Sequence, residues 1–568
     1  MELSYRKNDN STLFSTLGSF PHLRFDNVQN YIPMYDKYFA LTDSNHNSIN
    51  LNHKYTITKI VSSESQNKCT ALVVDEEGKV SEKNVFFKLS PLLDPIKYLV
   101  GKYDVTDPDL FHLPGRGISR VNAKVLDPNN AAYVDSFATY LTSQLLHRHG
   151  FVHGLDFYGS FLATKQDFII NLNDDIDYLY DSNFFHKNQG SLFTLNSEFQ
   201  EELMNYDTRN MKKRLCVGKE DISPAALRLS DVGDLSELDD LFATNGTTQL
   251  SDNLELMFQQ NVDVGETEKG GSSARASRDT SSSSCSSRSS HTGDAHSDSD
   301  SGSVTGSDCS TATEDVITAT IPRFPVQAIA LERCEQTLDF LLVHDSLNDR
   351  ELSSMVAQVL LTLATLQKTF SLTHNDLHTN NIMWIRTDKK NLCYKLGGIY
   401  YKVPTYGRIY KLIDFGRAIY KFKGKTVCSD SFHPKGDAAT QYNCEPYFNE
   451  NKPRLEPNLS FDLCRLGCSI YDFLVEDVSD EMKDLSEIEK IIVQWCHDDK
   501  GRNVMYKTNG QERYPEFKLY KMIARTVHEH TPEAVLANRH FSKYIVSRKL
   551  ANKAGTIMDI DSYPSYVD

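Results

Sequence analysis

The chain has 568 residues, which is room for more than one compact domain. Charged residues make up 24% of it and hydrophobic residues 39%, as in an ordinary soluble globular protein. The 77 Asp and Glu residues outnumber the 61 Lys and Arg residues, and a net charge of -16 repels phosphate backbones, so we expect no nucleic-acid partner for the molecule as a whole.

The eleven cysteines are scattered along the chain, and no pair has the C-x-x-C spacing of a zinc site or a thioredoxin-like centre. We interpret them as reduced thiols in a cytosol-like compartment. The N-terminal sequence MELSYRKNDNST is polar, and no apolar run approaches the ~20 residues that span a bilayer. We therefore expect no export, no membrane span and a cytoplasmic location.

The first patterned region covers residues 54–163 and follows an N-terminal extension at residues 1–53. The runs TITKIV, TALVVDEEGKV and NVFFKLS are rich in β-forming residues and separated by polar turns, which predicts three strands. In the next run, NNAAYVDSFATYLTSQLLHRHG, apolar residues recur at helical spacing and Gly150 is placed to end the helix. FYGSFLA then predicts another strand.

A change of composition marks an insertion. Residues 265–315 are dominated by Ser, Asp, Thr and Gly and almost lack bulky apolar side chains. Such a segment cannot bury enough surface to offset its ordering entropy, so we predict that it is disordered. Residues 164–264 mix acidic patches with short amphipathic runs such as SELDDLF and are assigned to an insertion of unknown fold.

A second patterned region follows the insertion. Residues 316–345 contain VQAIALERC, which predicts a strand. Residues 346–550 begin with ELSSMVAQVLLTLATLQKTF, where residues such as Leu352 and Val359 share one helical face. Residues 551–568 are interpreted as a C-terminal tail.

The most informative segments are THNDLHTNNIMWI, KLIDFGRA and FDLCRLG, in that order along the chain. The HNDL of residues 374–377, followed by Asn381, resembles the H-R-D-x-x-x-x-N catalytic loop of eukaryotic-type protein kinases. The DFG of residues 414–416 is similar to the D-F-G of that family. Asp462 resembles the acidic residue that begins the helix supporting the catalytic loop. A short motif such as any one of these can arise by chance, but the occurrence of all three in this order is specific.

The resemblance implies a two-lobed protein-kinase-like α+β fold, with a β-rich N-lobe, a mainly helical C-lobe and a large, partly disordered insertion. It also implies transfer of the γ-phosphate of ATP, a reaction that depends mainly on positioning and charge neutralisation. Asp376 would orient the acceptor hydroxyl and receive its proton. Asn381 and Asp414 would supply oxygen ligands for Mg²⁺. Asp462 would hold backbone amides of the catalytic loop.

The same resemblance, carried upstream, makes Lys88 the strand lysine that pairs with the nucleotide phosphates, so it is assigned both a catalytic and a nucleotide-binding role. The family has a Glu partner on the next helix, but Asp135 is the only carboxylate in the corresponding run of this chain. Glu332 and Cys334 fall where the hinge that binds adenine is expected.

The chain departs from the family pattern at several positions. No G-x-G-x-x-G precedes Lys88, and VSSESQNK stands at the corresponding turn. Between Asn381 and Asp414, LGGIYYKVPTYGRIY predicts an enlarged hairpin. His378 replaces the usual Lys of serine/threonine kinases. Asn375 replaces the Arg that binds a phosphorylated residue in many of them, so phosphorylation of the following segment is expected to contribute little.

Together, HNDLHTNNIM, VPTYG, IDFGRA, QYN and SFDLCRLG, with NAAYVDSF upstream, are similar to segments of the divergent protein kinases of large nucleocytoplasmic DNA viruses. The resemblance covers residues 54–163 and 326–549. It implies a serine/threonine-type kinase that acts on protein substrates in the host cytoplasm or in the virion.

Two other functions stay open at this point. A small-molecule kinase is one, because HNDLHTNN also resembles the loop of aminoglycoside and choline kinases, although the Gly of IDFG and the FDLCRLG helix oppose it. A pseudokinase scaffold is the other. The missing Gly-rich loop and helix Glu favour a scaffold, and the intact Asp376, Asn381 and Asp414 oppose it.

Overall fold

A main antiparallel sheet, several smaller sheets and a set of helices make up the part of the chain that the structure describes. In this computed structural model that part is residues 1–196 and 317–568, apart from residues 8, 117–119, 345–346, 476–477, 479–481 and 516. The main sheet forms before residue 333, and a region that contains the longest described helix follows it. The expected α+β class is thus confirmed.

The main sheet is antiparallel throughout and uses strands from both sides of the insertion. The strands before residue 333 are β1 (Tyr5–Lys7), β2 (Phe25–Gln29), β3 (Ile49–Leu51), β4 (Thr56–Ser63), β5 (Lys68–Val74), β6 (Val80–Pro91), β7 (Phe157–Asn171), β8 (Thr194–Leu195) and β9 (Thr318–Glu332). Their order in the main sheet is β2-β7-β9-β6-β5-β4, and β8 also pairs with β9. β1 and β3 form a separate pair.

The alternation of burial in β6 sets the direction of the candidate lysine. Phe87 and Leu89 are fully buried in the core. Because successive side chains of a strand point to opposite faces, Lys88 points to the other face of the sheet. Lys88 lies opposite Ile329 of β9, so it sits in the interior of the sheet and not at its edge.

The chain leaves the main sheet before the insertion and returns to it after the insertion at paired residues of two neighbouring strands. Asn171, the last residue of β7, pairs with Thr318, the first residue of β9. β7 therefore extends beyond residue 163, where the sequence analysis ended the first region. Residues 197–316, with the segment 265–315 predicted to be disordered, lie outside the described residues.

The helices of the described residues flank this sheet and then dominate the later region. They are α1 (Ser11–Ser19), α2 (Pro95–Leu99), α3 (Ala123–Leu126), α4 (Ala131–His149), α5 (Ile176–Tyr180), α6 (Asn183–Asn188), α7 (Leu338–His344), α8 (Asp349–Phe370), α9 (Phe461–Leu474), α10 (Glu487–Trp495), α11 (Phe517–Thr526), α12 (Pro532–Leu536) and α13 (Arg548–Ala554).

α4 and α8 confirm the two helices predicted from periodicity. The Asn130 side chain caps α4 by accepting a hydrogen bond from the Ala132 amide, and Gly150 ends it with a φ of 68°, a left-handed conformation that glycine adopts without steric cost. α8 begins with a capping box between Asn348 and Glu351. Both helices are buried over most of their length.

α9 and α10 approach each other closely at a glycine. A Cβ at Gly467 of α9 would lie 3.0 Å from the Cβ of Trp495 and 3.1 Å from the Sγ of Cys496. These distances are tighter than most Cβ contacts, so a side chain at this position would require Trp495 or Cys496 to shift. Phe461 and Cys464, which flank Asp462 in the first turn of α9, are buried in the core of the later region.

The predicted enlarged hairpin is confirmed and forms part of a second sheet. The later strands are β10 (Ile382–Arg386), β11 (Asn391–Leu396), β12 (Ile399–Pro404), β13 (Arg408–Leu412), β14 (Ile419–Phe422), β15 (Lys425–Cys428), β16 (Ile545–Val546) and β17 (Ile557–Asp559). β11 and β12 make the hairpin, and the order of their sheet is β16-β12-β11-β17. β10 pairs with β13, and β14 with β15.

The two terminal segments pack onto the rest of the described fold. β2, from the N-terminal extension, pairs with β7 and forms one edge of the main sheet. β17, from the segment interpreted as a tail, pairs in parallel with β11. Tyr566 is buried, and its ring lies 5.7 Å from that of Phe370. Both ends of the chain therefore contribute to folded structure.

The described residues include no helix that combines the length and the apolar character needed to cross a bilayer.

A buried histidine ties the turn after α4 to the later region. His153 hydrogen-bonds through Nδ1 to the Tyr410 carbonyl at 2.7 Å and through Nε2 to the Tyr394 hydroxyl at 2.7 Å. Burial lowers the pKa of His153 from 6.5 to about 4. The neutral ring thus donates from Nδ1 and accepts at Nε2 in the native protein.

We predict that His153 makes the protein less stable in mild acid. Its folded pKa lies below its unfolded value, so its contribution is complete above about pH 6.5 and is lost as the pH falls toward 4. The loss at pH 5 is about 2 kcal/mol. Urea unfolding at pH 7.5 and pH 5 tests this. His153→Gln lacks the titrating ring, so between these two pH values its free energy of unfolding should fall by ~2 kcal/mol less than that of the wild type. Equal falls would contradict the prediction.

Candidate active site

A buried lysine between two carboxylates joins three distant elements of the chain. The Nζ of Lys88 in β6 lies 2.7 Å from Oδ2 of Asp135 in α4 and 3.0 Å from Oδ1 of Asp414. The side chains are 11%, 2% and 4% exposed, respectively. Asp135 also accepts a hydrogen bond of 2.7 Å from the Phe415 amide through Oδ1. The structure thus brings the predicted lysine, its proposed Asp partner and the DFG segment together.

The charges of this group depend on one another. Burial by itself would lower the pKa of the Lys88 ammonium, but Asp135 and Asp414 outweigh burial and raise that pKa. Lys88 is therefore charged at neutral pH. Its positive charge is held on the face of the sheet opposite Phe87 and Leu89, where it could meet an anionic ligand group.

The DFG backbone has a conformation that suits few residues. Asp414 has a φ of 62°, in the left-handed region that Asp and Asn enter more readily than most residues. A Cβ at Gly416 would lie 3.2 Å from Oδ1 of Asp414, a crowded distance beside the carboxylate. Asn375 has a φ of 61° in the facing loop. Unusual backbone angles of this kind cluster at functional sites, where the surrounding structure maintains them.

Asp462 holds the loop that carries Asp376. Its two carboxylate oxygens accept hydrogen bonds from the backbone amides of His374 at 2.9 Å and Asn375 at 2.8 Å. Asp462 is fully buried in the first turn of α9. The geometry matches the structural role that the sequence analysis expected for Asp462.

The Asn381 amide is oriented by the same loop. Its Nδ2 donates to the Asp376 carbonyl at 2.9 Å and to Nε2 of His378 at 3.0 Å. His378 can accept this bond because burial lowers its pKa to about 4 and keeps the ring neutral. Oδ1 of Asn381 is buried and has no hydrogen-bond partner within the described residues. The Asn381 carbonyl accepts from the Ile413 amide at 3.0 Å, which places Asn381 beside Asp414.

Asp376 lies at the end of a hydrogen-bonded chain that the sequence analysis did not identify. The hydroxyl of Tyr520 in α11 donates to its Oδ1 at 3.0 Å, and Nε of Arg465 in α9 donates to that hydroxyl at 3.0 Å. Nε of Arg417 lies 3.9 Å from Oδ2 of Asp376. Asp376 itself is fully buried.

The sequence carries one signal for Arg465 and none for Tyr520. Arg465 stands three residues after Asp462 within the apolar run FDLCRLG, so the two charged side chains share a helical face. Tyr520 is separated from Asp376 by 144 positions and belongs to no motif. Only the packing of α11 beside α9 brings its hydroxyl to the loop.

Asn375 links the loop to the segment after DFG through neutral hydrogen bonds. Its Nδ2 donates to the Arg417 carbonyl at 3.2 Å, and its Oδ1 accepts from the Tyr442 hydroxyl at 2.9 Å. The Arg417 side chain pairs with Asp437. Asn375 thus contacts the segment directly, although it cannot bind a phosphate as a guanidinium does.

The two hinge residues have different environments. The carboxylate of Glu332 accepts from the Asp156 amide at 2.8 Å and pairs with the buried Lys411 ammonium. The Glu332 side chain therefore joins β9 to the turn before β7 and to β13. Burial raises the pKa of the Cys334 thiol to about 12, so it is protonated at neutral pH. An adenine contact at this hinge would use its backbone.

The turn that replaces a glycine-rich loop uses its amides internally. The hydroxyl oxygen of Ser65 accepts from the amides of Asn67 and Lys68, both at 3.2 Å. The Glu64 amide donates to the Lys68 carbonyl at 2.8 Å. The Glu64 carboxylate also pairs with Arg333 at 2.8 Å, which links this turn to the hinge. In this turn the amides of Asn67 and Lys68 donate to Ser65, whereas in a phosphate-binding loop such amides donate to the phosphate.

A cavity of about 520 Å³ opens beside the lysine group. The residues that line it include Asp135, Asp414, Arg417 and Asp430. The cavity gives a ligand access to the region next to the two carboxylates.

No protein-family model and no curated protein matches the chain.

We predict that the Tyr520 hydroxyl stabilises the loop. Tyr520→Phe keeps the ring that packs 5.3 Å from Phe517 and 5.9 Å from Phe461, but it leaves Oδ1 of Asp376 buried without this donor. The free energy of unfolding should fall by about 1–3 kcal/mol. Chemical denaturation measures it.

Tyr506→Phe is the matched control, because the Tyr506 hydroxyl also donates to a carboxylate at 3.0 Å, that of Asp472, but at an exposed site. The free energy of unfolding of Tyr506→Phe should fall by no more than about 0.5 kcal/mol. Similar losses in both variants would show that the buried bond to Asp376 contributes no more than an exposed one.

Proposed function

We propose that the chain is an ATP- and Mg²⁺-dependent protein kinase of the serine/threonine type, which transfers the γ-phosphate to hydroxyl groups of protein substrates. The observation that carries the proposal is the group formed by Lys88, Asp135 and Asp414 beside a loop that presents Asp376 and Asn381. The sequence motifs and this arrangement support the same residues. The resemblance extends the proposal to a virus-encoded enzyme acting in the host cytoplasm or the virion.

In the proposed reaction Asp376 accepts the proton of the acceptor hydroxyl. The hydroxyl oxygen forms a bond to the γ-phosphorus of ATP while the bond from that phosphorus to the β,γ-bridging oxygen breaks, and ADP leaves. Lys88 binds the phosphates through its ammonium. Asp135 and β6 hold that ammonium in place, so its charge is fixed before the nucleotide arrives.

The residues present fit a magnesium ion. The buried Oδ1 of Asn381 and the adjacent Asp414 carboxylate are hard oxygen donors of the kind that Mg²⁺ prefers. The part of the chain that the structure describes contains no cluster of three or more His, Cys, Asp or Glu residues suited to a metal. Asn381 and Asp414 would hold a magnesium ion that arrives with the nucleotide, and the ion would neutralise negative charge on the transferred group.

A pseudokinase scaffold is the second candidate, and a specific observation favours it. Asp376 is fully buried, and one of its oxygens already accepts from Tyr520. An acceptor hydroxyl must therefore reach the other oxygen or displace the tyrosine. The closed turn at Ser65 also lacks free amides of Asn67 and Lys68 for the phosphates.

One assay separates the candidates. Purified full-length protein is incubated with labelled ATP and Mg²⁺, with generic protein acceptors in one arm and aminoglycosides or choline in another. Label on protein supports the proposal. Label on the small molecule alone would identify a small-molecule kinase. ATP consumption and label at background in both arms would leave the scaffold.

We predict that Asp376→Asn removes nearly all phosphotransfer. The amide has the shape of the carboxylate and can still accept from Tyr520, but it is no base. The rate should fall at least ~100-fold, while the melting temperature stays close to that of the wild type. Asp388→Asn, at an exposed turn, is the control and should have the wild-type rate. Wild-type turnover by Asp376→Asn would rule out Asp376 as the base.

We predict a different result for Asp414→Ala. The variant loses a magnesium ligand but leaves Lys88 paired with Asp135, so one buried charge is still balanced by another. Turnover should fall steeply at ordinary Mg²⁺ concentrations, by far more than the folded fraction falls through the strain of Ala at a φ of 62°. Rates measured across a magnesium titration test this. Full activity at the concentration that saturates the wild type would argue against Asp414 as a ligand.

A further inference from the structure

The segment after DFG lies along α4 and contacts it at three positions. The Phe415 amide donates to Asp135 at 2.7 Å, and the Tyr420 hydroxyl donates to the Val134 carbonyl at 3.0 Å. Further along, Oδ1 of Asp430 accepts from the Ala131 amide, at the first turn of the helix, at 3.0 Å. The segment therefore holds α4 at its N-terminus and again one turn later.

Asp430 forms the charged end of this contact. Its Oδ2 pairs with the Lys124 ammonium of α3, and its own amide donates to the Asn129 carbonyl at 2.7 Å. The Asp430 side chain is 8% exposed. A carboxylate is stabilised at a helix N-terminus, where unpaired amides and the helix dipole present positive charge. Asp430 thus meets the α4 amide and a lysine in one nearly buried site.

The contact between Asp430 and Ala131 lies one helical turn from Asp135, which pairs with Lys88. Ala131 and Asp135 are four residues apart, so they lie on the same face of α4, one turn from each other. Holding Ala131 sets the height and rotation of the helix at Asp135. The Lys88 ammonium can meet Asp135 at 2.7 Å only when α4 is in that position.

The contact uses an unmodified side chain. Nearby hydroxyl groups are Thr426, Ser429 and Ser431; Ser429 is fully buried and accepts from the Ser431 amide at 3.2 Å. The charge that meets the helix terminus comes from Asp430, which needs no kinase to create it. A permanent carboxylate here performs the ordering that an added phosphate could perform through the same kinds of bond.

We propose that Asp430 is a positioning residue, whose carboxylate holds the first turn of α4 and thereby keeps Asp135 against Lys88 without phosphorylation of the segment. The proposal rests on the proposed kinase function, because its catalytic consequence is measured as phosphotransfer. It adds a residue that no sequence motif identifies, and it assigns the control of the site to the contact between the segment and α4.

The experiment compares Asp430→Ala, Asp430→Asn and Lys124→Met with the wild type, after phosphatase treatment and mass spectrometry confirm that all are unphosphorylated. Asp559→Asn is the matched control, because Asp559 pairs with Lys395 at 3.2 Å in the second sheet, away from α4. Initial rates give kcat and KM for ATP. Hydrogen exchange follows the Phe415 amide, which donates to Asp135.

We expect Asp430→Ala to lower kcat at least tenfold, with KM for ATP within about threefold, and to speed exchange at Phe415 more than in the core of α9. Asp430→Asn keeps an acceptor for Ala131 but loses the charge, so its loss should be smaller. Combining Asp430→Asn with Lys124→Met should cost no more than the worse single change, because the two side chains act as one pair. Asp559→Asn should behave as the wild type.

Several outcomes would overturn the proposal. A wild-type kcat in Asp430→Ala would show that the carboxylate does not position the site. A loss that merely follows the unfolded fraction, with exchange raised equally in α9, would show a general structural role. A wild-type rate that falls more than tenfold on phosphatase treatment would show that the segment needs a phosphate.

Failure of the kinase proposal gives a different result. A wild type that transfers no phosphate to any acceptor overturns the proposed function and the catalytic role of Asp430 with it. The exchange measurement still reads the contact in that case. Unchanged exchange at Phe415 in Asp430→Ala would then show that Asp430 does not transmit its contact to Asp135 either.

Discussion

The ion pairs of Lys88 with Asp135 and Asp414 impose the strongest constraint on the described fold. The three charged side chains come from a strand, a helix and a loop, are nearly buried, and place both carboxylates within 3.0 Å of the Lys88 ammonium. A buried charge that loses its partner is costly, so β6 cannot withdraw Lys88 without leaving two buried carboxylates uncompensated. Lys88 therefore links the sheet to both α4 and the DFG segment.

The rest of the site follows from this constraint. Asp414 keeps its position because the loop of residues 374–376 lies beside it, and that loop is held in turn by Asp462 through two backbone amides. α4 keeps its position because the segment after DFG contacts it near Ala131. Most of these contacts are hydrogen bonds from backbone amides to buried carboxylates. Such bonds have a fixed direction, and each one pairs a buried amide.

The buried state of Asp376 bears on every candidate function. Tyr520 and Arg465 supply a donor and a positive charge on one side of the carboxylate, and Arg417 supplies another charge at 3.9 Å. This environment orients the carboxylate as a base must be oriented. It also restricts access to it, so an enzyme with this site would select acceptors by how they approach Asp376.

The sequence by itself determined the local elements and the residues that we propose for the site. Helical periodicity and Gly150 define α4, alternation defines β6, and the motif residues identify Asp376, Asn381 and Asp414, because these signals depend on neighbours a few positions apart. The tertiary structure decided the long-range pairings. It joined Tyr520 to Asp376 across 144 positions and Asp430 to Ala131 across 299, and it built both chain ends into sheets. No local pattern encodes such contacts, since they arise only when whole helices and strands pack together.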